Sequence, residues 1–491
     1  MLTYLSNYQD YKCHINDSFS SNHFVLSYRF NDHHFFKAFF KMIFLDVDSI
    51  VPVLQPLYSH TGRPAKFQIE ILRSFILMFH FGYTSISKWT TSLKNDPALA
   101  ILIGCHPNTT PACTNHYDFI NRIFQFYSPE DIFPPNKNSK PKLKLKKNQK
   151  LPETKIKMND VVDFYSSGFT DHDRPEVILQ QLFQILAVNS SIAFNLINTN
   201  NDSGIIISGD GTAFHVHADS FGSKTKHLQI SDSGPTNDPI YLRHYSDPDA
   251  DIGWDSDLEV FYFGHTIYNI SHHNPNLHID LPLFLTFEKA SRHDSITSIS
   301  SFVHFSSINE SFHPSFYCLD SASDNYPTHH FLLKNNVTPI IDVNKRNLGN
   351  NLYAPHIGIS ENGKPICQAG FEMAPHGSDY KRYRHKFRCP LKCGKVSSCD
   401  LSRSCSSSDY GRVIYIKFDT DIKLFGPVPY KSDKWISIYK NRTSCERINN
   451  RILNDYHLAS SRTRGRNRLM FMTHMIGINI HLDALYKMTK S

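Results

Sequence analysis

The sequence predicts an α/β protein in which a helical region precedes a β-rich region. Apolar residues recur at helical spacing through 66–125, with Phe67, Ile71 and Phe75 on one face. From residue 204 onwards, short β-branched or aromatic runs are bounded by Gly, Pro, Asn or Asp, which is typical of strands. Hydrophobic residues make up 40% of the 491 residues and charged residues 20%, so the chain as a whole is not disordered.

No segment is typical of a membrane span or a signal peptide. The first residues lack a basic stretch followed by an apolar run. Charged residues such as Lys37, Lys41 and Asp46 interrupt the apolar stretch 35–54. Ten cysteines at irregular spacing predict reduced thiols, because a chain of this length does not need a disulfide framework. We therefore expect a soluble, non-secreted protein that does not contact membranes.

Residues 60–133, which follow an N-terminal segment 1–59, are predicted to form a helix-turn-helix-like DNA-binding domain. Turn and cap residues divide it into four short helices: Gly82, Ser85 or Ser87, Asp96 with Pro97, and Thr110 with Pro111. Short helices joined by tight turns also occur in small bundles that contact no nucleic acid. The spacing by itself leaves both alternatives open.

A Lys-rich linker is predicted over 134–160. Between Lys137 and Lys157 the sequence has nine Lys and one acid, a local charge of 9 − 1 = +8. Such a run is either a solvated tether or a strip that lies along phosphates. In the second case, Lys144, Lys146 and Lys147 contact DNA.

The β-rich part divides into 161–350, 351–438 and 439–491. A long helix is predicted after Pro175, and a second one over 294–308 with Asp294 as its N-cap. The predicted strands are 204–208, 213–218, 258–270, 281–290, 315–320 and 337–344. Residues 351–438 are strand-like and contain a Cys-rich loop, and 439–491 are helical.

Three acids have contexts that predict metal-dependent chemistry. Asp210 and Asp320 each end an apolar strand, and Glu446 opens a late helix. Carboxylates at the ends of neighbouring strands converge on one sheet edge, where a helical Glu can complete the cluster. Such oxygen ligands suit Mg²⁺ or Mn²⁺, and two ions would support phosphoryl transfer. For any single Asp at a strand end, a turn or cap role is the ordinary alternative.

Over most of its length the chain resembles DDE transposases of the bacterial insertion-sequence type. SGDGTAFH, LPLFLTFEKASRHDS and LDSASDNYPTHHFL follow that family's order, and Tyr439, Arg442 and Glu446 match its Tyr-x2-Arg-x3-Glu signature. The resemblance implies a ribonuclease-H-like core, a mixed β-sheet flanked by helices, with a β-rich insertion in the 446 − 320 = 126 residues between the second Asp and the Glu. It also implies that Asp210, Asp320 and Glu446 hold two Mg²⁺ or Mn²⁺ ions.

Two positions leave this match open. Leu453 stands seven residues after the Glu, where the signature carries a basic residue, so Arg447 or Arg451 is the candidate replacement. Asp324 competes with Asp320 for the second acid. We favour Asp320 because it directly ends the apolar strand.

Basic residues around Glu446 are predicted to contact DNA. Arg442 lies four residues before Glu446, so the two share a helix face. Arg442 then either binds a phosphate or forms an ordinary ion pair, and Tyr439 lies one turn earlier. The downstream residues predicted to follow the phosphate backbone, with a solvated basic surface as the alternative, are Arg447, Arg451, Arg464 and Arg466.

Four cysteines lie close together in sequence, at Cys389, Cys393, Cys399 and Cys405. Four soft ligands within so short a segment suit a tetrahedral structural Zn²⁺, although the spacing is not that of a standard zinc knuckle. The alternative is four unrelated reduced thiols in a Ser-rich loop.

The resemblance implies a transposase that binds the ends of its insertion sequence and catalyses DNA cleavage and strand transfer. It implies double-stranded DNA as partner, a homodimer or larger assembly on DNA, and a nucleoid-associated protein of bacterial or archaeal cytoplasm. The alternatives are a transposase-derived DNA-binding protein without nuclease activity, or a metal-dependent nuclease that does not join. The sequence has no phosphate-binding loop or dinucleotide fingerprint, so ATP- or NAD-dependent chemistry has no support.

The charge distribution suits a DNA partner better than the net charge does. The net charge is 52 − 45 = +7. Residues 440–468 carry 8 − 2 = +6, and the linker adds +8, so the rest of the chain sums to 7 − 14 = −7. The sequence therefore predicts an acidic body with two basic strips.

Overall fold

The computed structural model describes most of the chain, but not the Lys-rich linker. The described residues are 7–21, 28–59, 61–62, 65–125, 157–167, 176–197, 199, 204–227, 230–231, 234–235, 240–309, 312–344, 358–360 and 362–490. Lys144, Lys146 and Lys147 lie outside these ranges, so their predicted DNA contacts stay predictions.

The described part of the chain is a mixed α/β structure, in which helices flank a mixed sheet, as the sequence predicts. The helices are α1 (Tyr8–Ser21), α2 (His33–Phe44), α3 (Val51–Leu54), α4 (Gln68–His80), α5 (Ile86–Asn95), α6 (Pro97–Leu102), α7 (Cys113–Ile123), α8 (Met158–Ser166), α9 (Val177–Phe183), α10 (Ser190–Ala193), α11 (Asp294–Ile308), α12 (Tyr326–Lys334), α13 (Ser402–Cys405), α14 (Ile422–Phe425), α15 (Asp433–Tyr439), α16 (Thr443–Asn450) and α17 (Arg466–Met488). The strands are β1 (Ile205–His215), β2 (Ser223–His227), β3 (Ile230–Ser231), β4 (Gly234–Pro235), β5 (Ile240–His244), β6 (Asp251–Asp255), β7 (Val260–Asn274), β8 (Ile279–Lys289), β9 (Pro314–Leu319), β10 (Thr338–Ile341), β11 (Ala374–Asp379), β12 (Arg384–Arg388) and β13 (Val413–Lys417). Among these residues, no helix has the length and apolar character needed to cross a membrane.

Four helices, α4 to α7, occupy the region that helical periodicity predicts. Ser85 caps α5 by accepting the Lys88 N–H, and Asp96 caps α6 by accepting the Ala98 N–H at 3.0 Å, with Pro97 in the first turn. These caps confirm two of the predicted boundaries.

The predicted start of the fourth helix at Thr110 is wrong. Helix α7 begins at Cys113, and its first turn is closed by Asn115, whose Oδ1 accepts the Ala112 N–H at 2.9 Å. The side chain of an Asn inside the first turn therefore replaces the expected cap, which moves the boundary by two residues.

The long helix α17 joins the two ends of the chain in one hydrophobic core. It is buried along almost its whole length, including the polar side chains Thr473, His474, Asn479 and His481. The Phe471 ring packs edge-on against Phe75 with centroids 4.7 Å apart, and Asn479 Nδ2 donates to Ile76 O at 3.0 Å. The described residues of 60–133 thus share their core with the C-terminal helix.

The main sheet combines an antiparallel meander with two parallel strands. β1 pairs antiparallel with β7, β7 pairs antiparallel with β8, and β1 pairs parallel with β9, which pairs parallel with β10. The order across the sheet is therefore β8-β7-β1-β9-β10, while β6 pairs with the first residues of β7. Helix α11 connects β8 to β9, and α12 connects β9 to β10. The segments 204–208 and 213–218, predicted as two strands, lie largely in the single strand β1.

A smaller antiparallel sheet, β11-β12-β13, lies between β10 and α16 in the chain. It packs through a second hydrophobic cluster, in which Phe387 and Trp435 join Phe316 and Ile340 of the main sheet. The insertion is therefore anchored on the parallel half of the main sheet.

Candidate active site

The strand register brings Asp210 and Asp320 side by side. Ser208 of β1 pairs with Cys318 of the parallel strand β9, and each Asp lies two residues beyond this pair. Asp320 keeps an extended backbone, with φ −78° and ψ 177°. Because side chains alternate along a strand and neighbouring strands lie about 4.8 Å apart, the two carboxylates point to the same face of the sheet.

Asp210 lies in a largely buried and anionic environment, with 15% of its side chain exposed. Burial raises the pKa of Asp210 to about 7, against the lowering effect of Arg442, and the carboxylates of Asp320, Asp294 and Glu446 add to the rise. The carboxyl group therefore binds a proton far more tightly than an exposed Asp does.

Glu446 is held above this face by a polar contact between helix α16 and strand β7. Asn269, the β7 partner of Asp210, donates from Nδ2 to Asn449 Oδ1 at 2.6 Å. Ser271 and Ser444 share a hydroxyl–hydroxyl hydrogen bond of 2.6 Å. All four side chains are buried, so these bonds fix the position of α16, while Glu446 itself remains about half exposed.

Arg442 bridges the strand acid and the helix acid. Its Nη1 lies 2.5 Å from Glu446 Oε1, as the four-residue spacing predicts, and its Nη2 lies 3.8 Å from Asp210 Oδ1. Tyr439 stacks on Trp435 with ring centroids 4.4 Å apart. The signature residues therefore do lie together, and Arg442 pairs with acids on both sides of the site.

Asp294 is a fourth acid, whose charge adds to the rise in the pKa of Asp210, and its position differs from the one that the sequence predicts. We expected it to be the N-cap of α11, but His293 is the cap and accepts the Ser295 N–H through Nδ1 at 3.2 Å. Burial, together with the Asp320 carboxylate, raises the pKa of Asp294 to about 7. The cap prediction is wrong because the helix begins one residue earlier than the Asp pattern suggests, which places the carboxylate against Gly211, on the face of β1 opposite to the Asp210 side chain.

Gly211 makes the approach of Asp294 possible. A Cβ at this position would lie 2.6 Å from Asp294 Oδ1 and 3.0 Å from Thr266 Cγ2. A Cβ at Gly209 would lie 2.4 Å from the Tyr317 hydroxyl oxygen, on the same face of β1. Glycines on both sides of Asp210 therefore let other side chains approach the strand closely, and this signal was present in the sequence as GDG.

The Asp324 carboxylate makes its contacts with residues outside the acidic cluster. Its fully buried carboxylate pairs with Lys423 Nζ at 3.0 Å and accepts the Asn344 N–H at 2.8 Å. Asp320 Oδ1 accepts only the nearby Ala322 N–H at 3.1 Å. The geometry thus favours Asp320 over Asp324 as the partner of Asp210.

The downstream arginines separate into exposed and buried positions. Arg447 is half exposed and pairs with Asp280 through two nitrogens at 2.5 and 2.8 Å, and Arg451 pairs with Asp483 at 2.8 Å. Exposed Arg464 donates to a backbone carbonyl at 3.1 Å. The prediction that Arg466 contacts DNA is wrong, because Arg466 is buried and donates from Nε to the Phe287 carbonyl at 2.7 Å.

An open cleft of about 640 Å³ begins at Glu446. Its basic lining residues lie beside three acids, Asp280, Glu446 and Asp483, so the surface has mixed charge. The lining residues are His278, Ile279, Asp280, Glu446, Arg447, Asn450, Arg451, Asp483, Ala484 and Lys487.

The predicted cysteine cluster is only partly brought together. Cys389, Cys399 and Cys405 line one small cavity, whereas Cys393 does not, and Cys367 takes its place in the lining. The sequence analysis missed Cys367 because it lies more than twenty residues before the others. Among the described residues, no group of three or more His, Cys, Asp or Glu side chains is arranged closely enough to hold a metal ion.

Comparison with known proteins adds no family assignment. No protein-family model matches the chain, and no curated protein matches it. The case for a function therefore depends on the geometry of this site and on the sequence resemblance.

Proposed function

We propose that the protein is a DDE transposase with a ribonuclease-H-like core, which cleaves and joins DNA at the Asp210–Asp320–Glu446 site. The observation that carries the proposal is the parallel register of β1 and β9, which sets Asp210 beside Asp320. The sheet order β8-β7-β1-β9-β10, with an antiparallel meander followed by two parallel strands, is the order expected of a ribonuclease-H-like sheet. The insertion before α16 agrees with the same family pattern.

The donor chemistry fits divalent cations. Asp210, Asp320 and Glu446 offer hard oxygen ligands, and their mutual repulsion together with burial is what raises the pKa of Asp210. Two Mg²⁺ or Mn²⁺ ions held there would supply the Lewis acidity that phosphodiester cleavage and strand transfer require.

Arg442 would act on the substrate rather than on the acids once DNA is bound. Its guanidinium now contacts Glu446 and Asp210, and Nε is buried and has no hydrogen-bond partner among the described residues. A phosphate offers the planar, two-point acceptor that a guanidinium prefers. We therefore assign Arg442 the role of holding the phosphate next to the acids, with Tyr439 supporting it through packing.

The DNA path would run along the cleft that begins at Glu446. Arg447, Arg451 and Lys487 line it, and exposed Arg464 lies further along the same basic strip. Asp280 and Asp483 already pair with Arg447 and Arg451. The positive charge of the cleft is therefore partly cancelled, and these residues would neutralise DNA phosphates only in part. Assembly of two copies on two DNA ends belongs to the same proposal.

The decisive experiment is a strand-cleavage and strand-transfer assay with Mg²⁺. The substrates are duplexes copied from the DNA that flanks the coding sequence on each side. Asp210→Asn and Glu446→Gln should each lower both products by on the order of a hundredfold or more, because each removes charge needed in the transition state. Asp455→Asn is the matched control, since this acid is 57% exposed and lies outside the cluster.

The outcomes separate the three functions. Loss of both products in the two site variants, but not in the control, supports the transposase. Cleavage without joining by the wild type supports the nuclease. Binding of the flanking duplexes without any product supports the DNA-binding protein. Products that persist in Asp210→Asn contradict the assignment of the site.

A further inference from the structure

The loop between β12 and β13 contains a small cavity surrounded by thiols. The cavity has a volume of about 30 Å³, which is the size of one or two water molecules. Four of the ten cysteines line it, and none of them forms a disulfide: Cys367, Cys389, Cys399 and Cys405. They come from three separate segments, so tertiary packing and not sequence proximity brings them together.

Tight turns present two of these cysteines to the cavity. The Cys367 N–H donates to Phe371 O and the Gly370 N–H donates to Cys367 O, both at 2.9 Å, with Gly370 at φ +82°. At Cys389, the chain turns at once, because the Cys393 N–H donates back to Cys389 O at 3.1 Å. Backbone hydrogen bonds therefore hold these cysteines at the rim independently of their thiols.

The other two cysteines lie at the ends of one short helical segment. The Ser402 N–H donates to Cys399 O at 3.1 Å, and the Cys405 N–H donates to Leu401 O at 2.9 Å. Gly411 closes the loop over Cys389, since a Cβ at Gly411 would lie 2.7 Å from the Cys389 Cβ. The loop is thus folded closely around the cavity.

Hydrophobic burial does not account for this folding. No residue of 389–412 belongs to either hydrophobic core of the described structure, and the loop contains only the four-residue helix α13. Segments too small to bury a core of their own are usually held by a metal ion or by disulfides. Lys392 and Arg412 also line the cavity, and their positive charge would offset that of several thiolates.

We propose that Cys367, Cys389, Cys399 and Cys405 form a structural Zn²⁺ site that holds the insertion loop together. Four thiolates in a tetrahedron are a common ligand set for structural zinc. The thiols have to move inward when the ion binds, because they do not yet converge at ligand distance. The sequence pattern alone predicts Cys393 as the fourth ligand, whereas the packing indicates Cys367, because Cys367 and not Cys393 lines the cavity. This site is independent of the proposed transposase activity.

The test is the zinc content of the purified full-length chain, measured by mass spectrometry after gel filtration in chelator-free buffer. Wild type and Cys393→Ser should both contain about one Zn²⁺ per chain, and Cys367→Ser should lose most of it. Cys393→Ser is the matched control, because it removes a neighbouring thiol of the same loop that does not line the cavity.

A second measurement separates ligand loss from misfolding. Co²⁺ exchanged into wild type and into Cys393→Ser should give the same visible absorption bands of tetrahedral thiolate coordination. Cys367→His, which keeps a zinc ligand at the position, should retain metal where Cys367→Ser does not. Absence of zinc from the wild type, a disulfide between any two of the four thiols, or retention by Cys367→Ser with loss in Cys393→Ser would each overturn the proposal.

Discussion

The ion cluster around Asp483 joins the N-terminal helices to the C-terminal helix. Asp483 contacts Lys41 Nζ at 2.7 Å, Lys37 Nζ at 2.8 Å and Arg451 Nη2 at 2.8 Å. The Lys41 side chain is 0% exposed, and its other partner is Asn479 Oδ1 at 2.8 Å. Asp483→Asn therefore leaves a buried ammonium group without its counter-charge. We expect it to lower the free energy of unfolding by about 3–5 kcal/mol.

Part of this loss follows from the titration of Lys41. Burial already lowers the pKa of Lys41 from 10.5 to about 8, although Asp483 raises it. Without Asp483, the cheapest response at pH 7 is to lose the proton. Because the wild-type fold already bears the shift from 10.5 to about 8, neutralising Lys41 at pH 7 adds only about 1.4 kcal/mol for the remaining unit, and the lost contacts of Asp483 with Lys37 and Arg451 make up the rest.

The assay is urea unfolding followed by far-UV circular dichroism at pH 7. Asp455→Asn is the matched control, because Asp455 is 57% exposed, lies 3.9 Å from the same Arg451, and should contribute less than about 1 kcal/mol. Adding Lys41→Met to Asp483→Asn should recover about 1 kcal/mol or more, since it removes the buried charge. Equal midpoint shifts for Asp483→Asn and Asp455→Asn would refute the reasoning.

The same cluster has a defined pH dependence. Burial alone would raise the pKa of Asp483, but the Lys41 and Lys37 ammonium groups hold it far below its ordinary value of 3.8. A carboxyl whose folded-state pKa is lowered stabilises the fold fully above its unfolded-state pKa and loses this effect as pH falls toward the folded value. The difference between wild type and Asp483→Asn should therefore shrink as the pH is lowered below about 4.

Three further predictions concern the acidic cluster and the helix above it. Because burial raises the pKa of Asp210 from 3.8 to about 7, ionisation destabilises the fold as pH rises through this range. Asp210→Asn should thus unfold at a higher temperature than wild type at pH 8 in EDTA, with the gain shrinking toward pH 4, and a lower temperature at pH 8 would contradict this. Gly211→Ala should cost about 1–3 kcal/mol in urea unfolding because of its contact with Asp294, and Asp294→Ala should restore part of the loss unless the strain lies elsewhere. Asn269→Ala leaves Asn449 without its partner and should cost about 1–3 kcal/mol, whereas a neutral result would mean that α16 is held by apolar packing alone.

Local sequence patterns were sufficient where the signal lies within one element. The caps at Ser85 and Asp96 follow from side chains that bond to their own backbone a few residues away. The contact between Arg442 and Glu446 follows from helical spacing. The position of Asp320 directly after β9 was predictable too, because strand length depends on nearby residues, whereas Asp210 lies within β1 (Ile205–His215) and not at its end as predicted.

Such local patterns do not predict contacts between segments that are distant in the sequence. Asp294 has the sequence context of a helix cap, yet its carboxylate lies beside Gly211 because α11 packs against β1. Arg466 belongs to a basic run, yet it is buried because α17 passes through the core. Cys367 replaces Cys393 at the thiol-lined cavity because three loops meet there.

The sequence by itself therefore determined the α/β class, the four helices within 60–133, five of the six strands of the main sheet, and the candidate acids, since periodicity and capping are local properties. The tertiary structure decided which face each side chain shares with residues far away in the chain. It set Asp210 beside Asp320, brought the charge of Asp294 close enough to add to the rise in the Asp210 pKa, and placed Arg466 in the core instead of on the surface. The physical reason is that a local pattern fixes the direction of a side chain relative to its own element, whereas its neighbours depend on how separate elements bury their apolar surfaces together.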